Sequence, residues 1–293
     1  MGIFIGVLEQ GLIYGVMALG IYITYKILDF PDLTVDGSFP MGAAVTAVLL
    51  TKGVNPYLAL LVSFLAGAAA GICTGLIHVK LKVRDLLSGI IMMTALYSIN
   101  LRITGKVNVP LFTNETVLEN KVVDEAFARM PQIQILIVAL IIALIVKILL
   151  DTYLKTKSGY LLRAVGDNET IVTSLAKDKG MVKIIGLAIA NALVALGGSV
   201  MCQQQRFFDV SMGTGTMVIG LASVIIGTNI FKNSRIIKPT TAVLIGSIIY
   251  KGCVAFAISR GLKANDMKLI TSVLFLVIIV ITMDRKRKVK GNA

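Results

Sequence analysis

Residues 28–42 read LDFPDLTVDGSFPMG. Their reading decides whether the chain passes between its first two apolar runs by a plain turn or folds back into the protein. On either side lie stretches apolar enough for lipid, 3–27 and 38–51. The stretch packs in three carboxylates (Asp29, Asp32, Asp36), two prolines and two glycines, where a helical hairpin needs only a few polar turn residues. Pro31 pushes its predecessor away from helical dihedrals, Gly37 can supply unusual backbone angles, and Asp36 or Ser38 can cap the next helix. The run 38–51 is shorter than the roughly 20 residues that a crossing helix needs. The pattern predicts a broken or partly re-entrant second span, which is allowed at membrane depth only where it lines protein or water. A plain polar turn is the alternative. Asp32, Asp36, Gly37 and Ser38 read as cap and hinge chemistry at the inner mouth of a pathway.

The rest of the chain supports a membrane setting. Of 293 residues, 56% are hydrophobic and 15% charged, with a mean hydropathy of +0.85. Soluble domains carry about a quarter charged residues. Trp is absent, so any aromatic belt at the interfaces is thin. Cys73, Cys202 and Cys253 fall in apolar segments at no metal-like spacing and read as small packing residues. Residues 1–27 have no basic leader and no small-residue cleavage site, so the first run reads as a retained span.

Apolar runs of helix length fall at about 3–27, 38–51, 56–79, 86–103, 132–150, 183–202, 214–231, 239–258 and 268–283. The fold class expected is an all-α polytopic membrane protein of about nine helical segments. Residues 1–293 then form one transmembrane domain. Crossing at each run sorts the 29 basic residues into 19 on one side and 10 on the other. The richer set holds Lys80, Lys82, Arg84, the loop 151–183 and the tail Arg285–Lys290, and is cytoplasmic by the positive-inside rule. The N-terminus is then outside, the C-terminus cytoplasmic, and loop 104–131 extracellular. The net charge of +13 reflects orientation and contact with anionic lipid, with no nucleic acid needed.

Gly67, Gly71 and Gly75 repeat every four residues in the third run and read as close helix packing. There is no nucleotide loop, no HExxH pair, no GxSxG elbow and no carboxylate pair placed for hydrolysis. The chain reads as a non-enzyme without cofactors, metal or catalytic residues, so energy for active transport would come from another chain. Polar or soft residues within spans (Met92, Met93, Thr94, Tyr97, Asn100, Asn191, Met217) are candidates for the pathway lining; for Asn191, bonding between helices is favoured over substrate contact.

Loop 151–183 reads DTYLKTKSGYLLRAVGDNETIVTSLAKDKGMVK. Gly159 and Gly166 read as breaks. Asp167 or Asn168 can cap a short helix from Glu169 to Ala176, which KDKG then ends. A capped helix in a loop between two spans is either a lever or a solvated connector.

The stretch TKSGYLLRAVGDNETIVTSLAKDKGMVKIIGLAIANALVALGGSV resembles the coupling-loop region of ABC importer permeases of the branched-chain amino acid and ribose type. Gly166, Asn168, Glu169, Ala176 and Gly180 match that pattern, while Thr173-Ser174 stand where paired alanines are common. DLTVDGSFPMGAAV, VKLKVRDLLSGIIMMTALYSIN and SVIIGTNIFKNSRIIKPTTAVLIGSIIYKG are similar to further segments of that family, in the same order over residues 8–283. The resemblance implies a permease working as a pair, usually a homodimer, with two cytoplasmic ATP-binding subunits and an extracellular solute-binding protein. It also implies that Gly166, Asp167, Asn168, Glu169, Ala176 and Gly180 form the contact with the ATPases. Among the branches, the tryptophan or amino-acid type is the most similar, which implies an amino acid substrate, aromatic or branched-chain. A sugar or nucleoside permease is the alternative within the family. A self-sufficient secondary transporter or channel is the alternative outside it; inverted repeats with intramembrane carboxylates would mark that class.

Overall fold

The computed structural model describes residues 2–128, 130–168, 178–232, 234, 236–260, 269, 271–273 and 275–280. Ten helices are described: α1 (Gly2–Tyr22), α2 (Val35–Thr51), α3 (Pro56–Lys80), α4 (Asp85–Thr104), α5 (Lys121–Ala126), α6 (Gln134–Tyr153), α7 (Lys157–Asp167), α8 (Lys179–Gln205), α9 (Thr216–Ile230) and α10 (Pro239–Ser259). A π-helical turn, Ile23–Ile27, extends α1. Described residues of the last apolar run, 271–273 and 275–280, are also helical. Seven helical segments are long and apolar enough to cross a membrane, and α2 is a shorter apolar helix of 17 residues.

The long helix α8 is the most buried element, and α1, α2 and α3 all pack on it. Close approach is made possible by glycine. A Cβ on Gly67 or Gly71 of α3 would collide with the carbonyl of Asn191 or Leu187 on α8, so the four-residue repeat is indeed a packing face.

Contact pairs fix the helix directions. Ser38 meets Asn191 and Thr46 meets Ser199, so α2 runs parallel to α8 and starts near its midpoint. Gly20 faces Ala190 and Gly197 faces Met17, which makes α1 antiparallel to α8. Gly11 and Gly15 face Ile248 and Leu244, making α10 antiparallel to α1, while Gly227 faces Ala242, making α9 antiparallel to α10. Consequently α9 runs opposite to α2. The order long helix, break, short helix, long helix occurs in α1–α2–α3 and again, inverted, in α8–α9–α10.

Between α1 and α2 the chain leaves helical geometry at Asp29, whose φ is 51°, and turns back toward the middle of α8. The second span is thus short, and the break lies before it. The helix begins at Val35, three residues ahead of the apolar run, and carries Pro40 within it. Pro40 has no N–H to give the Asp36 carbonyl, and Gly213 packs against that carbonyl and the proline ring.

Residues 105–133 do not form a plain loop. Strand β1 (Asn108–Pro110) pairs antiparallel with β2 (Phe207–Asp209), with Val109 opposite Phe208. Arg206 then pairs with Glu119 and donates to the Asn114 carbonyl at 2.6 Å, tying the segment to the end of α8.

One expectation is corrected. Gly159 and Gly166 do not break loop 151–183; both lie inside α7, which Thr156 caps at its N-terminus. They are glycine for contact. A Cβ on Gly166 would run into the Ile27 carbonyl, and one on Gly159 into Tyr153 and Leu154.

Candidate functional site

Two carboxylates from the opening stretch organise the centre of the molecule. Asp32 accepts from the Thr34 amide at 2.9 Å and from Asn191 Nδ2 at 2.7 Å. Asn191 accepts in turn from Ser38 Oγ at 2.7 Å and donates to the Leu187 carbonyl at 3.1 Å. Asp32, Ser38 and Asn191 are fully buried, and every polar group of the Asn191 side chain is used.

Asp36 sits in the first turn of α2 but caps another helix. It accepts from the Gly215 amide at 3.0 Å, Thr216 Oγ1 at 2.9 Å and the Met217 amide at 2.8 Å. The two amides are free N-terminal donors of α9, where the helix dipole favours a negative charge, and the hydroxyl adds a third contact. The starts of the two oppositely directed short helices are therefore locked together by one carboxylate.

Beside this junction, α2, α4 and residues 210–214 enclose a cavity of about 340 Å³. Its polar wall is formed by Asp36, Thr94, Tyr97, Ser98, Asn100 and Thr214, with Pro40 and Met93 supplying apolar surface. Asp36, its one charged residue, is held by the α9 donors. Thr94 Oγ1 donates to its own helix at Ile90, and Asn100 Nδ2 donates to the Gly37 carbonyl at 3.1 Å. The Asn100 Oδ1 atom is buried without a partner among the described residues, and Tyr97 is half exposed. Such a site can hold a small polar solute by hydroxyl and amide contacts without gripping it by charge.

Of the expected pathway residues, Asp36, Gly37, Met93, Thr94, Tyr97 and Asn100 come together on this cavity. Met92 is instead buried with Ala70 and Leu96. Asn191, Asp32 and Ser38 form the support behind it, and Met217 is buried in the core with its amide on Asp36. Ser98, Pro40 and Thr214 were missed. The glycine-rich MGTGTM at 212–217, a second break before an apolar run, is the signal that could have found Thr214.

Of the expected coupling residues, Gly166 and Asp167 end α7, and Asn168 follows with its amide on the Ala164 carbonyl at 2.9 Å. Gly180 opens α8, capped by Asp178 at 2.8 Å and packed on Val79. Glu169 and Ala176, with the short helix expected between them, lie outside the described residues.

Crossing-length helices, two re-entrant breaks and a weakly charged cavity at their junction define a multi-pass membrane transport protein. The chain belongs to the permease component family of branched-chain amino acid transport systems, whose model matches residues 3–283. It is 48% identical over 272 residues to the tyrosine transport system permease protein of Clostridioides difficile, covering 93% of this chain and 88% of that one. It is also 32% identical to an uncharacterized protein of Rickettsia prowazekii, over 94% and 96% of the two chains. A probable branched-chain amino acid transport permease protein of Methanocaldococcus jannaschii is 26% identical over 73% of this chain and 70% of its own. No solved structure matches the chain. The chain is thus an ABC-type amino acid permease of the cell membrane, as its sequence resemblance implied.

Proposed function

We propose that the chain is the membrane subunit of an ATP-driven, binding-protein-dependent importer of an amino acid, aromatic in preference, and that solute passes the α2/α4 cavity. The observation that carries this reading is the cavity itself. A polar wall with its one carboxylate already satisfied lies where two half-depth helices start, in a chain 48% identical to a tyrosine transport system permease. Weak binding suits a pore that receives its solute from a separate binding protein and must release it.

The same geometry suggests how ATPases would act. A push on residues 166–180 reaches the Ile27 and Leu28 backbone through Gly166 and Leu162. From there it passes along 29–34 to Asp36 and the start of α9. Shifting this connector would open one side of the cavity and close the other. Helix α4 covers the cavity and, among the described residues, packs on α2, α3 and residues 210–213, while Leu87, Ile91 and Tyr97 are half exposed. A second copy against this face would complete the pathway, with two ATP-binding subunits below and a solute-binding protein above.

The test is reconstitution of the chain with its ATPase and binding protein in liposomes, followed by uptake of labelled tyrosine, tryptophan, leucine and ribose. ATP-dependent uptake of an aromatic amino acid, abolished without the binding protein, is expected. Uptake driven by an ion gradient in the chain alone would overturn the reading. The buried carboxylates and inverted order would fit such a carrier, but both carboxylates already accept from internal donors.

A further inference from the structure

We propose that Lys251 forms the floor of a binding site for the phosphate of an anionic phospholipid. Lys251 lies on α10, inside a crossing-length helix, and is 9% exposed. Its ammonium sits 3.7 Å from the centre of the Tyr14 ring and donates at 3.4 Å to Gln10 Oε1. An ammonium has three donors; the ring face and one amide oxygen leave it short of acceptors. Among the described residues no carboxylate comes within 4.0 Å of it. A buried charge in a membrane span marks a site by default, because leaving it unmatched is costly.

The space for an anion is present. A cavity of about 200 Å³ runs between α1 and α10 above Lys251, lined by Gly6, Val7, Gln10, Val254, Ala255 and Ile258. Its lysine floor is level with the last turn of α8, because α1 runs antiparallel to α8 with Met17 beside Gly197, which carries Gln10 to the C-terminal end of α8. From there to Ile258 the cavity climbs about 10 Å along α10, toward the membrane surface at the end where α1 begins. Its walls are apolar, and Ile258 at its upper end is exposed, a surface suited to acyl chains. A cationic floor, apolar walls and a mouth at headgroup level fit a lipid phosphodiester better than a soluble anion.

The test compares the full chain with Lys251→Met and Lys251→Arg in nanodiscs of phosphatidylcholine with and without phosphatidylglycerol. Native mass spectrometry and thermal unfolding are the readouts. The unaltered chain and the arginine variant are expected to retain a phosphatidylglycerol and to melt about 2 °C or more higher with it; the methionine variant should lose both effects. Ala255→Phe, which fills the cavity and leaves the lysine in place, covers the case in which Lys251→Met does not fold, and should also lose the lipid. Equal lipid retention by Lys251→Met or by Ala255→Phe would overturn the proposal. So would equal stabilisation by inorganic phosphate in the absence of anionic lipid, which would assign the site to a soluble anion.

Discussion

Asp36 shows how far a residue can be understood from its neighbours in sequence. A carboxylate beside glycine and serine before an apolar run is legible as a cap. Its partner is not, because the helix it caps begins 180 residues away and is met only through the fold. Removing it as Asp36→Ala strips two backbone amides at the start of α9 of their acceptor, while Thr216 Oγ1 keeps the Gly213 carbonyl. Capping losses cost about 2 kcal/mol at their upper end, so thermal unfolding should fall by several degrees and uptake should collapse. Unchanged unfolding would contradict the capping role. The two asparagines divide differently. Asn191→Ala leaves Ser38 Oγ and one oxygen of the buried Asp32 carboxylate without a partner, the other oxygen keeping the Thr34 amide, at a cost of about 3 kcal/mol. Asn100→Ala loses a single bond to the Gly37 carbonyl, at about 1 kcal/mol, and should change uptake rate more than stability. Neither should alter which amino acid is chosen, as calorimetry on the binding protein and competition in liposomes would reveal. A changed preference in Asn100→Ala would make the cavity wall a selectivity filter.

At the scale of elements, hydropathy located the helices well because burial in lipid and burial in protein demand the same apolar residues. It misplaced glycine in loop 151–183. Glycine lowers helix propensity by about 1 kcal/mol relative to alanine, so Gly159 and Gly166 read as breaks; α7 keeps them because neighbouring backbone leaves no room for a Cβ. This conflict gives a test with a sign. On propensity alone Gly166→Ala would stabilise a helix. Against the Ile27 carbonyl it should instead lower the unfolding temperature and weaken the coupling of ATP hydrolysis to uptake. Gly252→Ala in α10, where the added methyl meets only Val7 at 4.0 Å, should be neutral or stabilising. If both substitutions behave alike, the α7 contact does not carry the push from ATPase to connector. The start of α2 was blurred for a related reason: Val35–Gly37 are polar enough to look like a turn, yet their tertiary partners on α4, α9 and Gly213 hold them in helix.

For the molecule as a whole, charge and hydropathy carried the membrane class, and the order of several weak motifs carried the family. The cavity could not be read in advance, because it exists only where α2, α4 and residues 210–214 converge. The surface left bare is the most informative remaining feature. On α3 and α8, glycines and alanines face one another inside the fold. On α4, large side chains at Leu87, Ile91 and Tyr97 stand half exposed directly beside a polar cavity. Lipid alone would tolerate Leu and Ile there, but not a pathway wall open at its side, since polar solute would leak into hydrocarbon. The second copy proposed to pack on α4 would resolve this and make the pathway shared. Single cysteines at Ile91 and Tyr97, in a chain with Cys73 and Cys253 changed to serine, should therefore cross-link between copies under mild oxidation in native membranes. The same change at Leu61 or Leu65 on the lipid-facing side of α3, equally exposed, should not. Cross-linking confined to α3, or none at any position in a complex competent for uptake, would remove α4 from the dimer interface and with it the shared pathway.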